Sequence, residues 1–112
     1  MKLVTAVVQP HRLDDVKEAL TGLGMAGLTV TEVSGHGAQK GHAEVYRGAE
    51  YRVEFRPKVR VDVVVSDADL EAVLDAVTEA ARTGRIGDGK IWATDLVEVV
   101  RVRTGERGES AV

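Results

Sequence analysis

One α+β domain, a four-stranded antiparallel sheet with both helices on one face, is what this 112-residue sequence predicts. Three observations carry the prediction. Segments of strand and helix periodicity run β-α-β, then a long irregular stretch, then β-α-β again. Aromatic residues are only 4% of the chain, so the core is built of Val, Leu, Ile and Ala, and branched valine suits pleated strands. At this length two separate cores would each be marginal, so residues 1–112 form one domain. Two right-handed βαβ units in so short a chain make the ferredoxin-like βαββαβ sandwich.

The elements follow in order. Lys2 to Gln9 reads as a strand closed by Pro10, which has no N–H for a ladder. Leu13, Val16, Leu20 and Leu23 recur at helical spacing until Gly22 and Gly24 stop the helix. Thr29 to Val33, rich in β-branched residues, starts a second strand. From Gly35 to Phe55 four glycines and dense charge break every periodicity, which predicts a loop of about twenty residues, a length usually reserved for function. A hairpin within it is allowed, but no side of it reads as buried.

Val59, Val61, Val63 and Val65 alternate with Arg60, Asp62 and Val64, a strong strand signal. Ser66, Asp67 and Asp69 supply a cap and first-turn acids. Leu70, Val73, Leu74, Val77 and Ala81 then trace one face of a second helix. Residues 82–90 break it, Ile91 to Val102 reads as the last strand, and within the C-terminal region 101–112 the stretch Thr104 to Val112 is polar and Gly-containing, mobile on its own. Valines on both faces of the strands leave an uncovered apolar sheet face, which predicts a homo-oligomer.

Composition narrows the function classes. The formal net charge of -3 argues against a nucleic-acid binder. The chain has no cysteine, which excludes disulfides and thiolate metal sites. Its N-terminal apolar stretch is soon interrupted by Gln9 and Pro10, and no run approaches the ~20 residues that cross a bilayer, so a cytoplasmic location is expected.

Candidate chemistry is sparse. Gly87-Asp88-Gly89-Lys90 lies between a helix and a strand; glycine amides can cradle phosphate and Lys90 adds a point charge, although most such turns are only turns. The P-loop spacing is absent. Arg101 and Arg103 alternate on the last strand and could clamp an anion, or simply be solvated. His11, His36 and His42 match no zinc spacing and read as solvated. No nucleophile triad or carboxylate pair can be assembled, so no catalytic residue is predicted. Tyr46 and Tyr51, flanked by charges, read as exposed hydroxyls open to modifying enzymes and partners.

Two stretches go further. Tyr46-Arg47-Gly48-Ala49-Glu50-Tyr51 resembles the modification-site signature of the P-II nitrogen regulatory signal-transduction family. Thr83 to Trp92 resembles that family's nucleotide loop. Thr29–Val33, Gln39–His42, Pro57–Val59 and Arg101–Glu106 also match in order and spacing, so the resemblance covers essentially the whole chain.

The resemblance implies a homotrimer with sheets packed inward and three intersubunit clefts for which ATP and ADP compete. By it, Gly87, Asp88, Gly89 and Lys90 hold phosphates and Arg101 and Arg103 reach in from a neighbouring copy, while Thr29, Gly37, Ala38 and Val64 line the cleft. It further implies that 2-oxoglutarate binds beside Mg-ATP. Gln39 then ligates Mg2+ and contacts the keto acid, Lys58 pairs with a carboxylate, and Lys40, Gly41 and Gly87 complete the site. The 35–55 loop would reorganise around these ligands and regulate an ammonium transporter, the only route to a membrane, and nitrogen-assimilation enzymes. A nucleotidyltransferase would act on the Tyr51 hydroxyl.

Three positions depart from the family. An aromatic is usual at His36, and an arginine that helps hold the terminal phosphate is usual at Ala38. Loss of one charged contact weakens phosphate binding by about 1.5–3 kcal/mol, so an altered ATP-over-ADP preference is expected, with His36 the candidate to compensate. Ala93 is smaller than the usual aliphatic, a packing change. Other readings have less support. An adenylate sensor for another metabolite must explain Gln39 and Lys58. An acylphosphatase-like enzyme needs an asparagine, and this chain has none. An RNA-binding sheet needs stacking aromatics where valines stand.

Overall fold

The computed structural model describes residues 1–25, 27–37, 43–46, 49–52 and 55–112. The elements are β1 (Lys2–Val8), α1 (Leu13–Gly22), β2 (Thr29–Gly35), β3 (Ala43–Tyr46), β4 (Ala49–Arg52), β5 (Arg56–Val65), α2 (Leu70–Ala81) and β6 (Gly89–Asp95). Single turns of 3-10 helix lie at Pro10–Arg12, Asp67–Asp69 and Gly108–Ala111. The main sheet has four strands in the order β2-β5-β1-β6, every neighbouring pair antiparallel. This is the ferredoxin-like βαββαβ frame expected from the sequence.

The period-two pattern of the central strands builds the core. Val4, Ala6 and Val8 of β1 stand in register with Val63, Val61 and Val59 of β5, and all six are buried. Val16 and Leu20 of α1, four residues apart, and Val73, Val77 and Ala81 of α2 close over them. Leu70 and Leu74 pack at the rim, whereas Leu23, just beyond α1, is 40% exposed. Each fully buried Val or Leu side chain contributes about 1.5–3 kcal/mol, so this layer holds the domain together. Arg12 ties the far end of α2 to the turn after β1, its Nε and Nη2 donating to the Ala80 carbonyl at 2.9 and 2.6 Å.

The opposite face differs from the apolar one expected. Leu3, Val7, Val64 and Trp92 lie on it, but a polar row, Thr29–Asp62–Thr5 in register and ending against Trp92, crosses its middle. Thr5 is 1% exposed and donates its hydroxyl hydrogen to Asp62 Oδ1 at 2.6 Å; Arg60 Nε donates to Asp62 Oδ2 at 2.9 Å. Burial works to raise the Asp62 pKa, but the hydrogen bonds from Arg60 and Thr5 outweigh it and hold the carboxyl below its usual range.

Three boundaries also differ. β6 ends at Asp95, not Val102: among the described residues its neighbour is β1, which begins at Lys2, the partner of Asp95, so no ladder remains beyond it. Arg101 and Arg103 therefore lie on a turn and not on a strand. The tail folds back on itself, with Arg101 N–H donating to the Glu106 carbonyl at 2.9 Å and Gly105 N–H to the Arg101 carbonyl at 2.7 Å. β2 and β5 run on into the expected loop, pairing Val33 with Lys58 and Gly35 with Arg56. Pro57 sits where β5 has passed the end of β1 and has one neighbour, an edge position that tolerates proline. Within residues 35–55, β3 and β4 pair as a separate two-stranded ladder, Ala43 opposite Arg52 and Glu44 opposite Tyr51. Strands of four residues among scattered glycines leave no readable period in sequence.

Candidate functional site

The α2–β6 loop, the end of β1 and the start of β5 meet at one corner of the open face. The loop is shaped from within by Asp88. Its Oδ2 accepts the Thr83 and Gly84 amides at 2.8 and 2.9 Å, and its Oδ1 accepts the Thr83 hydroxyl. The hydroxyl bond, followed by the amides of Thr83, Gly84 and Arg85, holds the Asp88 carboxyl below its usual range against an opposing effect of desolvation. The side chain of Asp88 is thus turned into the loop. A phosphate would meet the backbone here, because the carboxylate is engaged and would repel it.

Two glycines of the loop are required by geometry. Gly87 and Gly89 have φ of 100° and 103°, where side-chain-bearing residues are strained. A Cβ on Gly89 would also stand 1.8 Å from the Val7 carbonyl oxygen. The chain enters β6 pressed against β1, which places Lys90 opposite Val7 on the open face.

Lys58 reaches the same corner from β5. It is 8% exposed, its stem passes Gly35, and its Nζ donates to the Gly87 carbonyl at 2.5 Å. A Cβ on Gly35 would lie 3.0 Å from Lys58 Cγ, so glycine leaves the lysine its path. Burial lowers the Lys58 pKa, Arg56 adds to the effect and Asp88 opposes it. The Gly87 carbonyl accepts a second bond, from Gln9 Nε2 at 2.8 Å. No sequence pattern singles out Gln9 for this role; the two residues are 78 positions apart.

A cavity of about 310 Å³ opens here, lined by Val7, His36, Gly37, Lys58, Gly87 and Lys90 among others. It gathers five of the expected site residues: Gly37, Lys58, Gly87, Gly89 and Lys90. A second cavity of about 740 Å³ toward the other end of the open face is lined by Thr29, Val64 and Arg101, with Leu3 and Asp62. Leu3 and Val7 are four residues apart on β1, so the two cavities are separated by roughly 13 Å along the strand. Within one copy eight of the expected residues therefore divide between an anion corner and an apolar-to-polar cleft.

The two arginines are held locally in the single copy. Arg101 Nη1 pairs with Glu106 at 3.2 Å across its own turn, and Arg103 lines neither cavity. Ala38, Gln39, Lys40, Gly41 and His42 lie outside the described residues. The backbone of Tyr51 lies in β4, opposite Glu44. His36 tilts against Phe55 with ring centroids 6.0 Å apart, at the foot of the segment that carries β3 and β4. Among the described residues no group of three or more His, Asp or Glu side chains is placed to hold a metal ion.

The description "Nitrogen regulatory protein P-II" belongs to the family model that matches residues 1–106. The chain is 58% identical to nitrogen regulatory protein GlnK of Escherichia coli (strain K12), over 112 residues and 100% of both chains. It is 56% identical to nitrogen regulatory protein P-II of Rhizobium meliloti (strain 1021) and 55% identical to that of Azospirillum brasilense, again over 100% of each. The chain belongs to the nitrogen regulatory protein P-II family.

Proposed function

We propose that this protein is a regulatory sensor of nitrogen, carbon and energy status that acts by ligand-gated binding and not by catalysis. The carrying observation is the anion corner: Lys58, nine-tenths buried, faces a cavity that also holds Lys90 and the glycines of the α2–β6 loop. Among the described residues its one hydrogen-bond acceptor is the Gly87 carbonyl. An ammonium so placed is costly to bury and gains from an incoming carboxylate or phosphate.

ATP and ADP compete for the site, with phosphates on the backbone of Gly87, Asp88 and Gly89 and on Lys90. The nucleoside lies toward Thr29 and Val64. Its full cleft forms between copies in a homotrimer, where Arg101 and Arg103 of a neighbouring copy can exchange their local partners for phosphate. Gln39, with the phosphates, would hold Mg2+, which offsets repulsion between the triphosphate and a doubly charged keto acid. 2-Oxoglutarate then takes Lys58, Lys40, Gly41 and Gly87. Each ligand shifts the segment between β2 and β5 only by its different affinity for that segment's states, and this changes contacts with an ammonium transporter and nitrogen-assimilation enzymes. Tyr51, in β4, is the site for a nucleotidyltransferase. No helix of the described residues is long and apolar enough to cross a membrane, in keeping with a cytoplasmic protein that meets a membrane through a transporter.

Calorimetric titration with 2-oxoglutarate in the presence of Mg-ATP, of Mg-ADP and of neither tests the reading. Binding that requires Mg-ATP supports it. Nucleotide binding with no keto acid binding would leave an adenylate sensor for another metabolite and withdraw the roles of Gln39 and Lys58. For Tyr51, growth under nitrogen limitation should add the mass of one UMP or AMP to the tryptic peptide that contains it; no shift would remove that role.

A further inference from the structure

Gln9 stands between the last residue of β1 and Pro10, and its own carbonyl accepts the Arg12 amide at 3.0 Å. The turn therefore fixes its backbone, and the side chain is aimed at the α2–β6 loop. The bonds that Asp88 makes to Thr83 and Gly84 are internal: they shape the loop and attach it to nothing. Attachment to the sheet comes from Gly89, in the ladder beside Val8, and from the Gly87 carbonyl. That oxygen has two lone pairs, one met by Lys58 at 2.5 Å and the other by Gln9 at 2.8 Å.

The two donors differ in what else they can do. Lys58 carries a charge and borders the cavity; an anion entering there competes with the Gly87 carbonyl for its ammonium. Gln9 is neutral and its amide Nε2 is engaged by the Gly87 carbonyl, so an anion has no comparable hold on it. We infer that Gln9 is a positioning residue that keeps the Gly87 carbonyl bonded to the sheet when Lys58 leaves it for an anionic ligand. The loop can then stay in place while the lysine exchanges acceptors, and the exchange does not orphan a half-buried carbonyl. This rests on the reading of Lys58 as a ligand for the keto acid.

The test compares wild type, Gln9→Ala, Gln9→Glu and Gln9→Lys in the full chain. Calorimetry measures 2-oxoglutarate with saturating Mg-ATP, and adenosine alone as a probe of the nucleoside end. Amide hydrogen exchange of residues 84–88 is followed without ligand. Gln9→Ala should weaken the keto acid about five- to tenfold, the effect of one hydrogen bond, and speed loop exchange, with adenosine changed less than about twofold. Gln9→Lys, which restores a donor, should recover both. Gln9→Glu should be weakest, because its carboxylate repels the Gly87 carbonyl and captures Lys58. Equal keto acid affinity and loop exchange in wild type and Gln9→Ala would overturn the inference, as would equal weakening of adenosine, which marks a general structural defect. If wild type itself binds no keto acid, the functional reading fails. The anchor is then decided by loop exchange alone, and unchanged protection in Gln9→Ala overturns it.

Discussion

The two faces of β5 make the sharpest contrast in the molecule. Val59, Val61, Val63 and Val65 turn toward the helices and are at most 6% exposed. Lys58, Arg60, Asp62 and Val64 turn the other way, three of the four charged. One strand thus serves as a wall of the core and as the floor of a polar face. Core burial favours the apolar set without further help. The charged set gains nothing from burial, and each member is kept by a specific partner: Gly87 for Lys58, Asp62 for Arg60, and Thr5 with Arg60 for Asp62.

Substitutions on the two faces should therefore separate stability from binding. The largest loss of stability is expected on the covered face, where Leu20→Ala should cost about 2–5 kcal/mol in denaturant unfolding and leave ligand affinity of the folded protein unchanged. Gly89→Ala comes next. Its positive φ costs about 1–3 kcal/mol and its Cβ meets the Val7 carbonyl, so nucleotide affinity should fall along with stability. Equal affinity in that variant would show that the loop's seat on β1 does not matter for binding.

Acid should reveal the carboxylates of the open face and the loop. Asp62 and Asp88 both titrate below the ordinary 3.8. Their contribution is complete above that value and is lost as pH falls through the lower, folded-state pKa, so stability should decline below about pH 4. Unfolding followed between about pH 2 and 6 should show Asp62→Asn flattening this limb and Asp88→Asn, on the loop, flattening it less. A larger effect at Asp88 would reverse the assignment of structural weight between sheet and loop.

Local patterns carried much of the fold. The alternating valines of β5 and the spacing of Val73, Val77 and Ala81 announced their elements because burial imposes periods of 2 and 3.6 on sequence. The end of β6 was not legible, since it depends on where β1 starts, almost a whole chain away. The same holds for the site. Lys58, Gly87, Gly89 and Lys90 stood out through motif resemblance, and the structure brings them together. Gln9 had no signal of its own, because its meaning lies in one carbonyl at the far end of the chain. The motif does not tell side chain from backbone at Asp88, whose carboxylate serves the loop's own amides.

The most direct test of the account compares wild type and Lys58→Met, each saturated with Mg-ATP, in a titration with 2-oxoglutarate. The account predicts binding by wild type, loss of at least about tenfold in affinity for Lys58→Met, and little change in its folding stability, since a buried ammonium with one neutral acceptor is exchanged for an apolar side chain of similar length. Keto acid binding of equal strength in Lys58→Met would contradict it and move the anion site away from this corner.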